Sequence, residues 1–207
     1  MDVPGRIETI DELTALYRAP GAGAVSKQLD HINAGMAAFI DLSPFLVLAT
    51  SDGAGSIDAS PRGGPPGFVR RLDERHIAIP DLNGNNRLDS YRNIVVAGRA
   101  GVLMVVPGKT ETLRINGPAA ITTDPDLLAG FTDELRTPKA AIVIETAEIY
   151  GHCAKAFQRG HLWDESTWAA LDAAPDLATM YSGVWNVDET TIRDGLAADY
   201  ELGLAAD

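Results

Sequence analysis

Two arginines near the middle of the chain stand beside small and polar residues that would let them hold an anion. Arg62 lies in the sequence SPRGG, and Arg87 follows the turn-forming sequence NGNN. A guanidinium beside accessible backbone N–H groups is a favourable partner for a phosphate. Residues 62–114 carry nine lysines and arginines against five acids, although the whole chain has a formal net charge of −12. This concentration of positive charge favours a small phosphorylated ligand over a long polyanion.

The sequence after the NG turn predicts how the second arginine would be positioned. Asn85 or Asn86 is a candidate cap for a helix that includes Arg87, and Asp89 would be its third residue if Asn86 were the cap. A phosphate at that helix N-terminus would gain unpaired N–H donors, with Arg87 in the first turn. The alternative is that Asn-Gly only turns the chain and Arg87 is solvated.

Short apolar runs and period-two alternation predict a mainly β fold. With helices at both ends and a single helix between strands, this pattern favours a closed or partly closed antiparallel barrel with helical flanks. The pattern disfavours a parallel nucleotide-binding sheet, because strands do not alternate regularly with helices and no G-x-G-x-x-G follows a strand. The predicted strands cover residues 45–50, 56–60, 67–72, 75–80, 101–106, 110–123 and 140–150.

Helical periodicity predicts the flanks of a single domain that spans residues 1–207. A helix over residues 8–17 has Thr9 as its candidate cap, and the spacing of Leu29, Ile32, Met36 and Phe39 predicts one helix over residues 24–40. The expected divisions are N-terminal helices in 1–43, the barrel in 44–152 and C-terminal helices in 153–207. The C-terminal helices are predicted at KAFQR, STWAALDA, LATMYSGVW and residues 191–204.

Composition excludes several classes of protein. One cysteine, Cys153, allows no intramolecular disulfide, and we expect it to be a small buried side chain in a cytoplasmic protein. The apolar runs are shorter than the ~20 residues that a membrane helix needs. An acidic chain disfavours nucleic-acid binding, and the spacing of the four histidines predicts no metal site. Trp163 and Trp168 are expected to be core or interface anchors.

A set of landmarks in the right order resembles a known superfamily. FLVLAT is followed by DGAGSIDASPRGG, PGFV, IPDLNGNNRLDSYRNI, VPGKTETLRINGPAAI and YGHCAKAFQRGHLW, which together cover residues 45–163. The chain resembles the pyridoxamine 5′-phosphate oxidase-like FMN-binding split-barrel superfamily, and within it a less characterised branch of FMN-dependent enzymes. The resemblance implies an antiparallel split barrel and a homodimer that holds two FMN molecules at the subunit interface, each touching both chains.

The resemblance also implies which residues contact the flavin. Two strand ends would run beside the cofactor, and the loop around Arg87 would bind its phosphate. A later strand would face the flavin from the barrel, and the end of the last strand would lie near the ring. The implied cofactor-binding residues are Ser60, Pro61, Arg62, Gly63, Pro80, Asp81, Asn85, Asn86, Arg87, Thr112, Arg114, His152, Cys153 and Lys155. From the strand pattern alone, Arg114 would be a solvated side chain.

Departures from the pattern bear on the substrate. The pyridoxamine phosphate oxidases place a lysine near Arg62 and an Arg-Lys pair at the phosphate loop, where this chain has glycines and Asn86-Arg87. Their closing segment has no clear counterpart in the acidic C-terminal region, so we do not predict a vitamin B6 oxidase. The expected activity is an FMN-dependent oxidation or reduction of a small molecule by hydride transfer at flavin N5, with no catalytic residue assigned. The alternative is a protein that binds or carries a flavin, deazaflavin or tetrapyrrole without turnover.

Overall fold

The computed structural model describes residues 2–131, 135–169 and 173–207. The strands are β1 (Phe45–Ser51), β2 (Ile57–Gly63), β3 (Arg70–Arg71), β4 (His76–Pro80), β5 (Arg99–Val105), β6 (Thr112–Thr122), β7 (Ala141–Glu145) and β8 (Glu148–His152). The helices are α1 (Ile10–Ala15), α2 (Ala22–Ser26), α3 (Ala34–Leu42), α4 (Asp89–Ala97), α5 (Pro125–Leu128), α6 (Lys155–Arg159), α7 (Leu177–Trp185) and α8 (Glu189–Ala205), with a 3₁₀ turn at Glu165–Thr167.

The long strand β6 joins two half-sheets into a split barrel. The strand order is β2-β1-β5-β6-β7-β4-β3, and every pair is antiparallel. One edge of β6 pairs with β5, while its other edge pairs first with β8 and then with β7. The predicted antiparallel split barrel with helical flanks is therefore confirmed.

The core lies between the half-sheets and follows the period-two pattern of the strands. Leu46 and Leu48 of β1, and Ile77 and Ile79 of β4, have no exposed surface. Ile94 of α4 packs into the same cluster. Burying one such side chain contributes roughly 1.5–3 kcal/mol, so this face fixes which side of each strand points inward.

The predicted strand over residues 140–150 is two strands, which makes eight rather than seven. Both strands pair with the same edge of β6, β8 with Thr112–Asn116 and β7 with Ala119–Thr122, and the pairing of β7 with β4 ends at Glu145. Between them, the Thr146 N–H donates to the Arg75 carbonyl (2.7 Å) and the Ala147 N–H donates to the Asn116 carbonyl (3.0 Å). The register against β6 shifts by one residue between β7 and β8, so a bulge interrupts the ladder without any turn residue to signal it.

The single helix predicted over residues 24–40 is wrong. The α2 helix ends at Ser26, and Leu29 then forms an isolated β-bridge with Ile149. Asn33 starts α3 by accepting the Met36 N–H with its side chain. The apolar spacing is helical, but backbone pairing of Leu29 to β8 overrides it.

Two further predictions need correction. Only Arg70–Arg71 of the strand predicted over 67–72 is extended, because Gly67 has a φ of 90° and the Phe68 N–H closes a turn onto Pro65. Of the predicted helix STWAALDA, Ser166 and Thr167 belong to the 3₁₀ turn and residues 168–169 are not helical, while residues 170–172 lie outside the described residues. The helices α1, α6, α7 and α8 are confirmed, and Thr9 caps α1 as expected.

The close approach of the β7–β8 connection to β6 predicts that one added methyl group has a large effect on stability. A Cβ on Gly117 of β6 would lie 1.8 Å from the Glu145 carbonyl oxygen, which belongs to backbone and cannot rotate away. We expect Gly117→Ala to lower the free energy of unfolding by about 3 kcal/mol, at the upper end of overpacking costs, as measured by urea denaturation.

Gly195→Ala is the matched control, because nothing lies within 4 Å of a Cβ added at this glycine of α8. That change should leave stability unchanged or raise it by up to about 1 kcal/mol. Equal changes in the free energy of unfolding for the two substitutions would contradict the close approach of the β7–β8 connection to β6.

Candidate functional site

A cavity of about 620 Å³ opens between β2, α4 and the loop that joins β4 to α4. Most of the residues predicted to contact a cofactor line it. Arg136, Lys139 and Asp207 complete the lining, although they lie far from β2 and α4 in the sequence. The predicted residues at this cavity are Ser60, Pro61, Arg62, Gly63, Pro80, Asp81, Asn85, Asn86 and Arg87.

The register of β2 explains why its polar side chains face the cavity. Arg62 pairs with Leu46 and Ser60 pairs with Leu48, both of which point into the core. Directly paired residues of an antiparallel sheet project to the same face. Arg62 and Ser60 therefore project inward at the barrel edge, beside α4, whereas Pro61 projects outward.

Ser90 of α4 holds Arg62 in place and is itself almost fully buried, with 2% of its surface exposed. Arg62 Nη2 donates to Ser90 Oγ (3.0 Å), and Ser90 Oγ donates to Asp58 Oδ2 (2.5 Å). Ser60 Oγ donates to the same carboxylate (2.9 Å), and Arg62 Nη1 donates to the Pro61 carbonyl (2.8 Å). A guanidinium has more N–H donors than these bonds use, so Arg62 keeps donors for a ligand.

The loop before α4 differs from the predicted helix cap. The α4 helix begins at Asp89, and its N-cap is Leu88, whose side chain makes no capping bond. Asn85 Oδ1 instead accepts the Arg87 N–H (3.1 Å), which closes a local turn. Arg87 therefore precedes the helix, its side chain is 74% exposed, and its Nε donates to Asp89 Oδ2 (2.8 Å).

The same loop contains strained backbone. Asn86 and Leu88 both have left-handed φ values, 55° and 61°. This conformation costs an L-residue other than glycine, asparagine or aspartate roughly 1–2 kcal/mol, so Leu88 is the exceptional position. Alternation into this region turns successive N–H groups toward one side, a geometry that suits anions.

Charges in the cavity balance, with four basic side chains (Arg62, Arg87, Arg136, Lys139) and four acidic ones (Asp58, Asp81, Asp89, Asp207). The acids are largely engaged by neighbouring donors. The Tyr91 hydroxyl donates to Asp81 Oδ1 (3.0 Å), and burial together with the Asp81 charge raises the pKa of Tyr91. The donors left on the arginines are therefore consistent with a phosphorylated ligand.

The remaining predicted residues form a second cluster, with Thr112, Arg114 and His152 on the outer face of the β6–β8 pair and Cys153 and Lys155 directly after β8. None of them lines the cavity of the same chain. Arg114 pairs with Leu103 across the sheet and lies opposite Tyr150, to whose hydroxyl its Nη1 donates (3.0 Å). Arg114 is half-buried, whereas the strand pattern predicted a solvated side chain. Residues of this cluster are Thr112, Arg114, His152, Cys153 and Lys155.

The side chains of this second cluster carry positive charge around a buried nitrogen. Lys27 Nζ donates to the Gly151 carbonyl (2.8 Å) and lies 5.1 Å from the centre of the Tyr150 ring. His152 Nε2 is buried and makes no hydrogen bond with the described residues. Burial, and then the charges of Arg114 and Lys27, lower the pKa of His152.

Three expectations about other side chains can be compared with the structure. Cys153 is exposed, so its predicted burial is wrong. Trp163 and Trp168 are 37% and 49% exposed, which excludes them from the core of a single chain. Among the described residues, no group of three or more histidine, cysteine or acidic side chains could hold a metal ion.

Sequence reasoning missed several residues of the cavity. Ser90 and Tyr91 were predicted to lie on the helix after Arg87, but helical spacing alone did not mark them as polar partners of β2. Arg136, Lys139 and Asp207 lie 39 or more residues beyond the end of α4 at Ala97 and carry no local motif. Only the tertiary structure brings them to the cavity.

Removal of the Ser90 hydroxyl should destabilise the folded protein. Ser90→Ala leaves Asp58 and Arg62 without their shared partner in a half-buried position, and we expect a loss of about 1–2 kcal/mol in the free energy of unfolding. Urea denaturation of the two proteins measures it. The exposed Ser26→Ala change serves as the control and should stay within about 0.5 kcal/mol. A loss no greater than this control would contradict the bridging role of Ser90.

The lowered pKa of His152 predicts a pH dependence with a definite sign. The folded chain binds a proton at His152 less readily than the unfolded chain, whose histidines titrate near 6.5. The free energy of unfolding should therefore fall as the pH drops below about 6.5 toward the folded pKa. His152→Gln should remove this part of the pH dependence of the free energy of unfolding. Urea denaturation of both proteins at pH 7.5 and 5.5 measures the difference.

An NMR titration of the His152 ring tests the cause directly. Its midpoint should lie below about 6.5, and Lys27→Ala should move it upward by removing a neighbouring positive charge. Lys109→Ala, an exposed lysine on another loop, should leave it unchanged. An unshifted midpoint in the native protein would contradict the burial of this ring.

No helix among the described residues is both long and apolar enough to cross a membrane. No match was found among curated proteins. Solved structures with similar folds share little sequence with the chain. HupZ of Group A Streptococcus is 20% identical, with 58% of this chain and 93% of that chain covered and a TM-score of 0.46. A proposed pyridoxamine 5′-phosphate oxidase from Lactobacillus delbrueckii is 21% identical, with 60% and 98% covered and a TM-score of 0.46.

An FMN-binding protein from Syntrophomonas wolfei is also similar, at 11% identity, with 55% of this chain and 79% of that chain covered and a TM-score of 0.41. The stronger finding is a match to the family model described as pyridoxamine 5′-phosphate oxidase, which covers residues 32–153. That region contains the whole barrel from β1 to β8 and more than half of the 207 residues. The chain therefore belongs to the pyridoxamine 5′-phosphate oxidase family.

Proposed function

We propose that this protein binds FMN in the cavity beside β2 and acts as an FMN-dependent oxidoreductase on a small molecule. The observation that carries the proposal is the fixed position of Arg62. Its guanidinium is oriented by Ser90 and keeps free donors at a cavity that also contains a strained, left-handed loop. Backbone strain of this kind is characteristic of functional sites and ligand clamps.

The phosphate end of FMN would lie between Arg62 and the loop before α4. Arg62 would contribute a positioned cation, because its side chain is already ordered before a ligand arrives. Arg87 would turn from Asp89 to the phosphate. Such a rearrangement costs little, since a surface ion pair is worth only about 0–1 kcal/mol.

Two chains would be required to complete the site. Members of the family are typically dimers with a flavin at the subunit interface. In this chain, the second cluster lies on the outer face of the β6–β8 pair and does not line its own cavity. The same face carries the half-buried apolar side chains of Val47 and Leu103, which a partner would cover. We infer that Arg114 and His152 of one chain face the cofactor held by the other.

The protein's contribution would be binding and orientation. Bound FMN would supply the two-electron chemistry. Arg62 and Arg87 would anchor the phosphate, and the outer cluster would exclude water from the opposite side. Tyr91 would remain a neutral hydrogen-bond donor because of its raised pKa. No side chain needs to act as a general acid or base.

The phosphate assignment predicts that the protein distinguishes FMN from riboflavin. Arg62→Gln and Arg87→Gln should each weaken FMN binding by roughly tenfold to a hundredfold, the effect of losing a charge-assisted hydrogen bond. Riboflavin, which lacks the phosphate, should bind weakly and be nearly indifferent to both changes. Titration with quenching of flavin fluorescence gives both affinities.

Arg99→Gln, on the exposed end of β5, is the control and should bind FMN normally. Equal affinity for FMN and riboflavin would refute the phosphate assignment. Bleaching of bound FMN by NADH or NADPH without air would support the oxidoreductase. A bound flavin that these reductants and candidate substrates leave oxidised would support the alternative, a binding or carrier protein.

A further inference from the structure

One of the acidic side chains that line the cavity, that of Asp207, is held by other residues of the same chain. Asp207 Oδ1 accepts the Asn83 N–H (2.7 Å) and lies 3.6 Å from Arg136 Nη2. The backbone N–H of Arg136 also donates to the Asp207 backbone carbonyl. The Asp207 side chain is only 15% exposed. A carboxylate is therefore bound at this point by a backbone N–H and a guanidinium.

The two residues that hold this carboxylate are fixed by each other. Arg136 Nη2 donates to Asn83 Oδ1 (2.9 Å), and Asn83 Nδ2 donates to the Gly203 carbonyl (3.0 Å). Lys139 lines the same cavity and adds a second positive charge. Arg136 Nε is buried and has no hydrogen-bond partner among the described residues. A guanidinium with an unused donor beside a backbone N–H matches the geometry of a carboxylate.

The helix that delivers Asp207 is weakly attached. Ile192 is the only buried residue of α8, and Leu204, which reaches the cavity lining, is 76% exposed. Residues 160–207 carry ten acids and a single base. Little apolar burial would be lost if the end of α8 moved away, so a competing anion could displace it.

We propose that Asn83, Arg136 and Lys139 form a carboxylate-binding subsite of the cavity and that Asp207 occupies it as an internal ligand. A small molecule that bears a carboxylate displaces Asp207 and binds in its place. The assignment of this molecule as the substrate rests on the proposed function. The binding chemistry of the subsite does not, and it can be tested without flavin.

The test compares benzoate with benzamide, which has the same shape and no charge. Binding to the 207-residue chain without flavin is measured by ligand-observed NMR. An internal ligand that fills the subsite about nine-tenths of the time weakens an external one about tenfold. Asp207→Ala should therefore tighten benzoate binding by about that factor and leave benzamide unchanged. Adding Arg136→Gln to Asp207→Ala should weaken benzoate by at least about tenfold, and Arg136→Lys should have an intermediate effect.

Glu201→Ala, an exposed acid on the same helix, is the matched control and should not change benzoate binding. Thermal melts establish that each variant is folded. The proposal is overturned if Asp207→Ala leaves benzoate affinity unchanged, or if the gain persists without Arg136. Benzoate binding that depends on Arg136 in a chain that binds no FMN would support the subsite and refute the proposed function. FMN binding together with a benzoate affinity that neither Asp207→Ala nor Arg136→Gln changes would support the proposed function and refute the subsite.

Discussion

The pairing of β6 with both halves of the barrel is the constraint on which the rest of the structure depends. Its two edges hold β5 on one side and β8 followed by β7 on the other. Where the pairing of β6 passes from β8 to β7, the backbone that joins these two strands approaches position 117 so closely that a Cβ there would clash with the Glu145 carbonyl oxygen, and glycine avoids this clash. The register of β6 sets that of β5, β5 sets that of β1, and β1 sets that of β2. The inward orientation of Arg62 on β2 therefore depends on the pairing of β6.

The cavity is built where regular structure ends. Within the part of the chain that the structure describes, β2 is paired on one edge only, so its polar side chains meet α4 rather than another strand. The contact between Ser90 and Arg62 converts a flexible cation into a positioned one. The loop before α4 carries the backbone strain, which the stable barrel around it can tolerate because its many buried contacts outweigh a cost of a few kcal/mol.

The two groups of predicted residues have different environments, and this difference supports a site shared between chains. The group at the cavity combines acids and bases that engage one another, while the outer group is positively charged around His152 and Tyr150. Cations without acidic partners repel one another, and an anionic or electron-rich ligand from a second subunit would relieve that repulsion. The occupied contact between Asp207 and Arg136 shows that the cavity already binds a carboxylate from its own chain.

The sequence by itself determined the barrel, most of its strands and the positions of Arg62 and Arg87 beside one cavity. These follow from local signals, namely period-two burial, turn residues and a basic segment in an acidic chain. Tertiary structure decided what local signals cannot: Leu29 pairs with β8 instead of extending a helix, and Asn85 closes a turn instead of capping α4. It also brought Ser90, Arg136 and Asp207 to the cavity. Contacts between residues more than a hundred positions apart are set by sheet register and helix docking, which no single segment encodes.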